Sequence, residues 1–276
     1  MSATTASPQI TAHRGERSRL SFGGVLRSEW TKLRSLRSTR WSLLVAFIAM
    51  AGLGPLIAAV TMAHWNSLSP VERATFNPID RSLGGYRLAQ LAIGVLGVMV
   101  ISGEYTTGQI RSSLMAVPRR LPVLWAKLLV FSAVSFALML IAALISFYAS
   151  QAIFTQHHVN VTLGSPHVLR TFVGTLLFMT VTGVLCTGLG TIIRSTAGSI
   201  SAYVGLMFVL PGISAILPSN ISDAINPYLP STAGTGIARP FPAAHAFSAW
   251  GGFALFCGYT VVTVVIAAYL LRRRDA

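Results

Sequence analysis

Acidic side chains are almost missing from this sequence, with seven Asp and Glu among 276 residues. Lysine is scarcer still: Lys32 and Lys127 stand alone beside nineteen arginines. Cysteine occurs twice, at Cys186 and Cys257. Each shortage excludes something. Charged residues make up 10% of the chain, where a soluble domain carries about a quarter, so a folded chain of this size would lack the polar surface to dissolve. Both lysines precede leucine, which excludes a P-loop, whose Gly-x-x-x-x-Gly-Lys-Ser/Thr run holds phosphates through backbone amides and the lysine. The two cysteines fall within apolar runs, so neither a structural disulfide nor a metal-ligand spacing is expected. A Gly-x-Ser-x-Gly elbow and a His-Glu-x-x-His pair are both missing. Of the six histidines, His13, His64, His157, His158, His167 and His245, only the adjacent His157 and His158 invite a metal reading. Neighbouring rings on a loop without carboxylates chelate poorly. No metal site, bound cofactor or enzymatic centre is expected.

What is present is long uncharged sequence. No Asp, Glu, Lys or Arg occurs for 31 residues after Arg40, 16 after Arg87, 42 after Lys127, 23 after Arg170, 28 after Arg194 and 32 after Arg239. Crossing about 30 Å of hydrocarbon takes roughly 20 mostly apolar helical residues. Six gaps therefore predict six spans, at about 42–63, 84–103, 126–150, 170–192, 198–217 and 248–270. The second starts before its gap, with Arg87 reaching toward the interface. The expected fold class is an all-α integral membrane protein, one membrane domain over 19–276 behind a disordered tail at 1–18.

The net charge of +14 points to the membrane, not to nucleic acid, because of where it lies. Sixteen basic residues fall on one side of the expected spans, eight of them before residue 42, and five on the other. The positive-inside rule then puts both termini in the cytoplasm of a bacterial cell membrane. The basic leader and the length of the first apolar run do not fit a cleaved signal peptide. Before the first span, residues 20–40 form an amphipathic helix. Phe22, Val25, Leu26, Trp30, Leu33 and Leu36 share an apolar face for lipid, with Arg27 and Arg34 opposite, toward anionic headgroups. Glu29 falls in the middle of the apolar arc. It either pairs with Lys32 one turn on, or touches a partner protein or the loop after the second span. The outer segment 218–247 carries Pro218, Pro227, Pro230, Pro240 and Pro242 yet stays apolar, and is expected to dip into the membrane surface or lie against it. Gly183, Gly188, Gly190, Gly198 and Gly205 permit close helix packing within one chain or between two. Pro211 predicts a kink in the fifth span.

The segment after the second span is the most informative. It runs Gly103-Glu104-Tyr105-Thr106-Thr107-Gly108-Gln109-Ile110-Arg111-Ser112-Ser113-Leu114, then Pro118-Arg119-Arg120 and Lys127. Ile110, Leu114 and Val117 give a short helix one apolar stripe. Glu104, at the end of a span, needs a partner for its charge. An ordinary basic loop would account for the rest. The pattern of Glu104, Thr107, Gly108, Ile110, Leu114, Pro118 and Lys127 nevertheless resembles the loop after the second span in permeases of the ATP-binding-cassette type-2 exporter family. The opening Leu26-Arg27-Ser28-Glu29-Trp30-Thr31-Lys32-Leu33-Arg34 is similar to the interfacial elbow helix of that family's actinobacterial branch.

The resemblance implies a coupling helix seated in a separate ATPase subunit, with Thr107, Gly108, Ile110, Arg111 and Leu114 at the contact. Glu104 would bridge it to basic elbow residues, Lys32 or Arg34, beside Glu29. ATP and Mg would be bound by the partner, and a second permease chain, identical or different, would complete the transporter. The span interiors carry no ionisable Asp, Glu, Lys or Arg, which disfavours an ion relay and suits export of an amphipathic or lipid-like cargo. Two other readings stay open: a non-transporting membrane partner of an ATPase, in signalling or self-immunity, and a membrane enzyme acting on lipid, for which only scattered histidines could serve.

Overall fold

The computed structural model describes residues 21–106, 108, 120–241 and 246–273. The expected tail at 1–18 lies outside them. No strand occurs among the described residues, and six helices are long and apolar enough to cross a membrane. The chain is an all-α integral membrane protein.

The first helix, α1 (Phe22–Ser35), stops where Leu36 turns extended, at φ −75° and ψ 122°, and α2 (Arg37–Ala63) starts at once. The sequence reading of one helix over 20–40 is therefore corrected: the corner comes at Leu36, and Arg37 and Arg40 belong to the first turns of the first span. The break frees α1 from the direction of α2, so it packs on a later helix. Two short helices, α3 (Pro70–Ala74) and α4 (Pro78–Ser82), follow. Ser69 and Glu72 cap α3 reciprocally, since the Ser69 amide donates to Glu72 Oε2 at 2.8 Å and the Glu72 amide to Ser69 Oγ at 3.3 Å.

The remaining spans are α5 (Tyr86–Thr106), α6 (Arg120–Phe154), α7 (Val168–Ile193), a fifth made of α8 (Thr196–Val204), a π-helical turn (Gly205–Val209) and α9 (Leu210–Ser214), and, after α10 (Ser219–Ile225) and α11 (Pro230–Thr235), the last helix α12 (Ala249–Arg273). At 35 residues, α6 measures about 50 Å and outruns the hydrocarbon. Among the described residues it already runs from Arg120, ahead of the expected 126. Lys127 thus stands two turns inside the helix. In the fifth span, the widened turn immediately before Pro211 makes room for its ring against the preceding carbonyls.

α5 and α7 form the centre: 61% of the most apolar stretch of each is buried, against 17–33% for the other four spans. Small residues let their backbones meet. A Cβ on Gly97 would stand 2.5 Å from the Gly183 carbonyl oxygen, and Thr187 Oγ1 donates to Gly97 and Gly183 carbonyls, both at 3.0 Å. Gly188 faces Thr263 of α12 and Gly190 faces Ile101 of α5, so these glycines serve packing within one chain. Gly198 adjoins Ile193, while Gly205 faces open space.

The described part of the proline-rich segment, 218–241, folds back on protein. Prolines open α11 and the turn before it, and Ala233, Gly234, Ile237 and Ala238 are buried between α7 and α12. The Ile237 carbonyl lies directly against Gly174 and Phe178 covers Gly234. Near α4, Ser146 Oγ donates to the Ser82 carbonyl at 2.6 Å and Gln151 Nε2 to Ser82 Oγ at 2.9 Å, satisfying a buried polar knot.

Close packing at the centre makes one expectation. Gly97→Ala should destabilise the protein by about 1–3 kcal/mol, read as an earlier midpoint in detergent-titrated unfolding. Gly258→Ala, in open space on α12, should be neutral or slightly stabilising. Equal responses would refute the close-contact account.

Candidate functional site

Val25, Glu29 and Leu33 recur every four residues on α1, and all three are buried; Phe22, Trp30 and Leu36 of the same apolar arc are exposed. The arc read from sequence as one lipid face is therefore divided. Its buried edge faces the protein: Leu33 joins the main core, while Val25 packs with Val123 and Ala126 of α6. That contact explains Glu29. A carboxylate amid apolar residues is directed at Lys127, one residue past Ala126 on the facing helix.

Four charges converge there. Lys127 Nζ donates to Glu29 Oε2 at 2.6 Å and to Glu104 Oε1 at 2.9 Å. Lys32 Nζ donates to Glu29 Oε1 at 2.7 Å and to Glu104 Oε1 at 2.9 Å. Each lysine bridges both carboxylates, so α1, α5 and α6 are joined at one point. The side chains of Lys127, Glu29 and Glu104 are 2%, 4% and 6% exposed, and that of Lys32 28%. Formal charge sums to zero, which is what permits such depth; the pairs contribute little net stability but their disruption strands a buried charge.

Burial alone would raise the Glu29 carboxyl, but Lys127 and then Lys32 hold it below the ordinary carboxylate range. Burial would lower Lys32, but Glu29 and Glu104 hold it above the ordinary lysine range. The structure thus unites Glu29, Lys32 and Glu104 of the residues singled out in the sequence. Arg34 is exposed and outside the cluster, because helical spacing turns it away from Lys32. Lys127 was missed as a partner. Its signal was its place: Lys127 stands at the start of the third expected span, where a buried charge needs an opposite partner, and Glu104 ends the span before it.

Gly108 ends α5. It is exposed, takes the left-handed conformation at φ 70°, and donates to the Tyr105 carbonyl at 3.3 Å. Thr107, Ile110, Arg111 and Leu114 lie outside the described residues. Beside this end of α5, the Arg194 guanidinium stands 5.0 Å over the Tyr105 ring, and Thr196 Oγ1 donates to Ser102 Oγ at 2.9 Å. No group of three or more His, Cys, Asp or Glu close enough to hold an ion occurs among the described residues.

Residues 25–217 match the family model described as ABC-2 family transporter protein. The chain belongs to the ABC-2 transporter family. The match opens at Val25 and includes all four charges of the cluster, and the resemblance read from Glu104 to Lys127 is borne out at family level. As an ABC-2 family member, the chain is the membrane-spanning permease of an ABC transporter, a system that includes an ATPase component. Among curated proteins none matches this permease in sequence.

Two outcomes test the cluster. Lys127→Met should cost the ABC-2 permease about 3–5 kcal/mol by leaving two buried carboxylates to one lysine, whereas Arg34→Gln should stay within about 0.5 kcal/mol, both by thermal unfolding in detergent. For pH, the lowered Glu29 value means its contribution is complete above the ordinary carboxylate range and lost as pH falls through the lowered value. The raised Lys32 value means the reverse: complete below the ordinary lysine range, lost as pH rises through the raised value. Spin labels at the exposed Arg27 and Trp125 should therefore keep one distance from about pH 5 to 9, with separation only beyond. A steady drift across neutrality would contradict this assignment.

Proposed function

We propose that this permease transmits ATP-driven motion of a separate ATPase subunit into export of an amphipathic or lipid-like molecule. The supporting observation is the four-charge cluster. It binds the amphipathic helix α1, the end of α5 and the start of α6 into one unit, and the chain between Thr107 and Arg119 leaves α5 only three residues after Glu104. A push on that segment would be carried to three helices at once. In this reading Thr107, Gly108, Ile110, Arg111 and Leu114 meet the ATPase, which binds ATP and Mg. Glu29, Lys32, Glu104 and Lys127 hold the contact in line with the spans.

The ends carrying the cluster face the cytoplasm of the bacterial cell membrane, as do both termini, following the bias of basic residues. The exposed Phe22, Trp30 and Leu36 edge of α1 lies in the lipid interface. A second permease chain, identical or related, would complete the conduit. Away from the charge cluster and the helix ends the spans carry no charge, which suits a cargo that enters from the bilayer and disfavours coupling to an ion gradient.

Co-purification with the ATPase encoded beside this gene, followed by hydrolysis in lipid discs, tests the proposal. Stable association with permease-dependent hydrolysis is expected. Leu114→Ala should weaken association, whereas Glu104→Gln should leave association largely intact and lower stimulated hydrolysis about tenfold. Full stimulation by Glu104→Gln at normal fold would remove the cluster from the coupling path, and no association with any ATPase would remove the export reading.

A further inference from the structure

Beside the four-charge cluster lies a cavity of about 210 Å³ between α1, the start of α2 and the end of α5. Its apolar side is made by Leu36, Met99 and Val100, and Ser38 stands among its polar lining. Leu36 is 46% exposed, so the apolar side continues to the outside of the protein. Glu104 and Gly103 form adjoining parts of the wall.

Two observations give this cavity a chemistry. Glu104 Oε1 accepts from both lysines, but Glu104 Oε2 is buried without a hydrogen-bond partner among the described residues. An ionised oxygen left so is costly, and a donor brought to it recovers that cost. The terminal carboxylate torsion is broad, so a small turn offers Oε2 to the cavity. Gly103 is a glycine inside a helix, which ordinarily costs stability, yet a Cβ there would meet nothing within 4 Å. The space it leaves is the space of the cavity.

Charge then selects among donors. The two carboxylates and two ammoniums already cancel. An ammonium ligand would add an uncompensated charge close to Lys32 and Lys127, and an anion would set a second negative charge against the ionised Glu104 carboxylate. We infer that the cavity is a binding site for an uncharged amphiphile, whose hydroxyl donates to Glu104 Oε2 while its chain runs along Val100, Met99 and Leu36. A membrane lipid with a free hydroxyl, such as a diacylglycerol, and a free long-chain alcohol share this chemistry. The site does not depend on the transport reading, since occupancy requires no ATP.

The test uses the full chain in discs of phosphatidylcholine, a lipid without hydrogen-bond donors. A photoreactive fatty alcohol, its methyl ether, and a photoreactive diacylglycerol are crosslinked separately, and labelled peptides are mapped by mass spectrometry. The alcohol or the diacylglycerol should label the segments around Leu36 and Met99, with whichever labels more strongly identifying the source. The ether should label about tenfold less, the loss of one hydrogen bond to a charged acceptor. Gly103→Leu, which fills the cavity without touching the four charges, should abolish labelling at an unchanged unfolding temperature. Glu104→Gln should bring alcohol and ether to near equality. Equal labelling by alcohol and ether in the unmodified chain, labelling that survives Gly103→Leu, or no labelling in these segments by any probe would each overturn the assignment. The unmodified chain and Gly103→Leu decide the question even where Glu104→Gln does not fold.

Discussion

Taking a charged group out of water into a protein interior costs several kcal/mol unless an opposite charge meets it there. In this permease two carboxylates and two ammoniums meet within one cluster, and the arrangement of three helices follows from that meeting. α1 could have lain anywhere along its apolar arc. It lies with Val25 and Glu29 on α6 and Leu33 in the main core, the rotation that brings Glu29 to Lys127, 2.6 Å away. The corner at Leu36 is the backbone's accommodation: α1 answers to α6, while α2 answers to the bundle.

The centre of the bundle is held by different means. Between α5 and α7 it is the lack of side chains that matters, with Gly97 against the Gly183 backbone and Thr187 donating to both. Directional polar links recur at one end, through Ser82, Ser146 and Gln151, and at the other through the charge cluster. The spans thus have apolar close packing in the middle and hydrogen-bonded ties toward the ends, an order expected where the surrounding solvent is hydrocarbon.

Six spans are legible in the sequence because hydrocarbon excludes charge, and uncharged gaps record that directly. Their ends are less so. Arg120 and Lys127 interrupt the gap that opens the third span, although both belong to α6: Arg120 begins it and Lys127 is neutralised inside it. Leu36 gives no sign of a corner, since leucine continues a helical pattern. Glu29 is visible as an anomaly on a helical wheel, but a wheel shows one helix, and its explanation lies on another 98 positions away. Arg34 was as plausible a partner for Glu104 as Lys32 by charge alone; only the packing of α1 on α6 separates them. The proline-rich segment after the fifth span reads as irregular because its helices are too short for periodicity, and the burial of Ala233, Gly234, Ile237 and Ala238 between α7 and α12 is a property of the assembled bundle.

The separation between Glu29 and Lys127 also sets an order of events during synthesis. The ribosome delivers α1 first, Glu104 75 residues after Glu29, and Lys127 last. Until α6 has been made, Lys32, one turn away, is the only cation of the cluster that Glu29 has. Docking of α1 on its facing helix therefore cannot be complete before the third span has been made, since both Lys127 and the apolar surface that receives Val25 belong to that span.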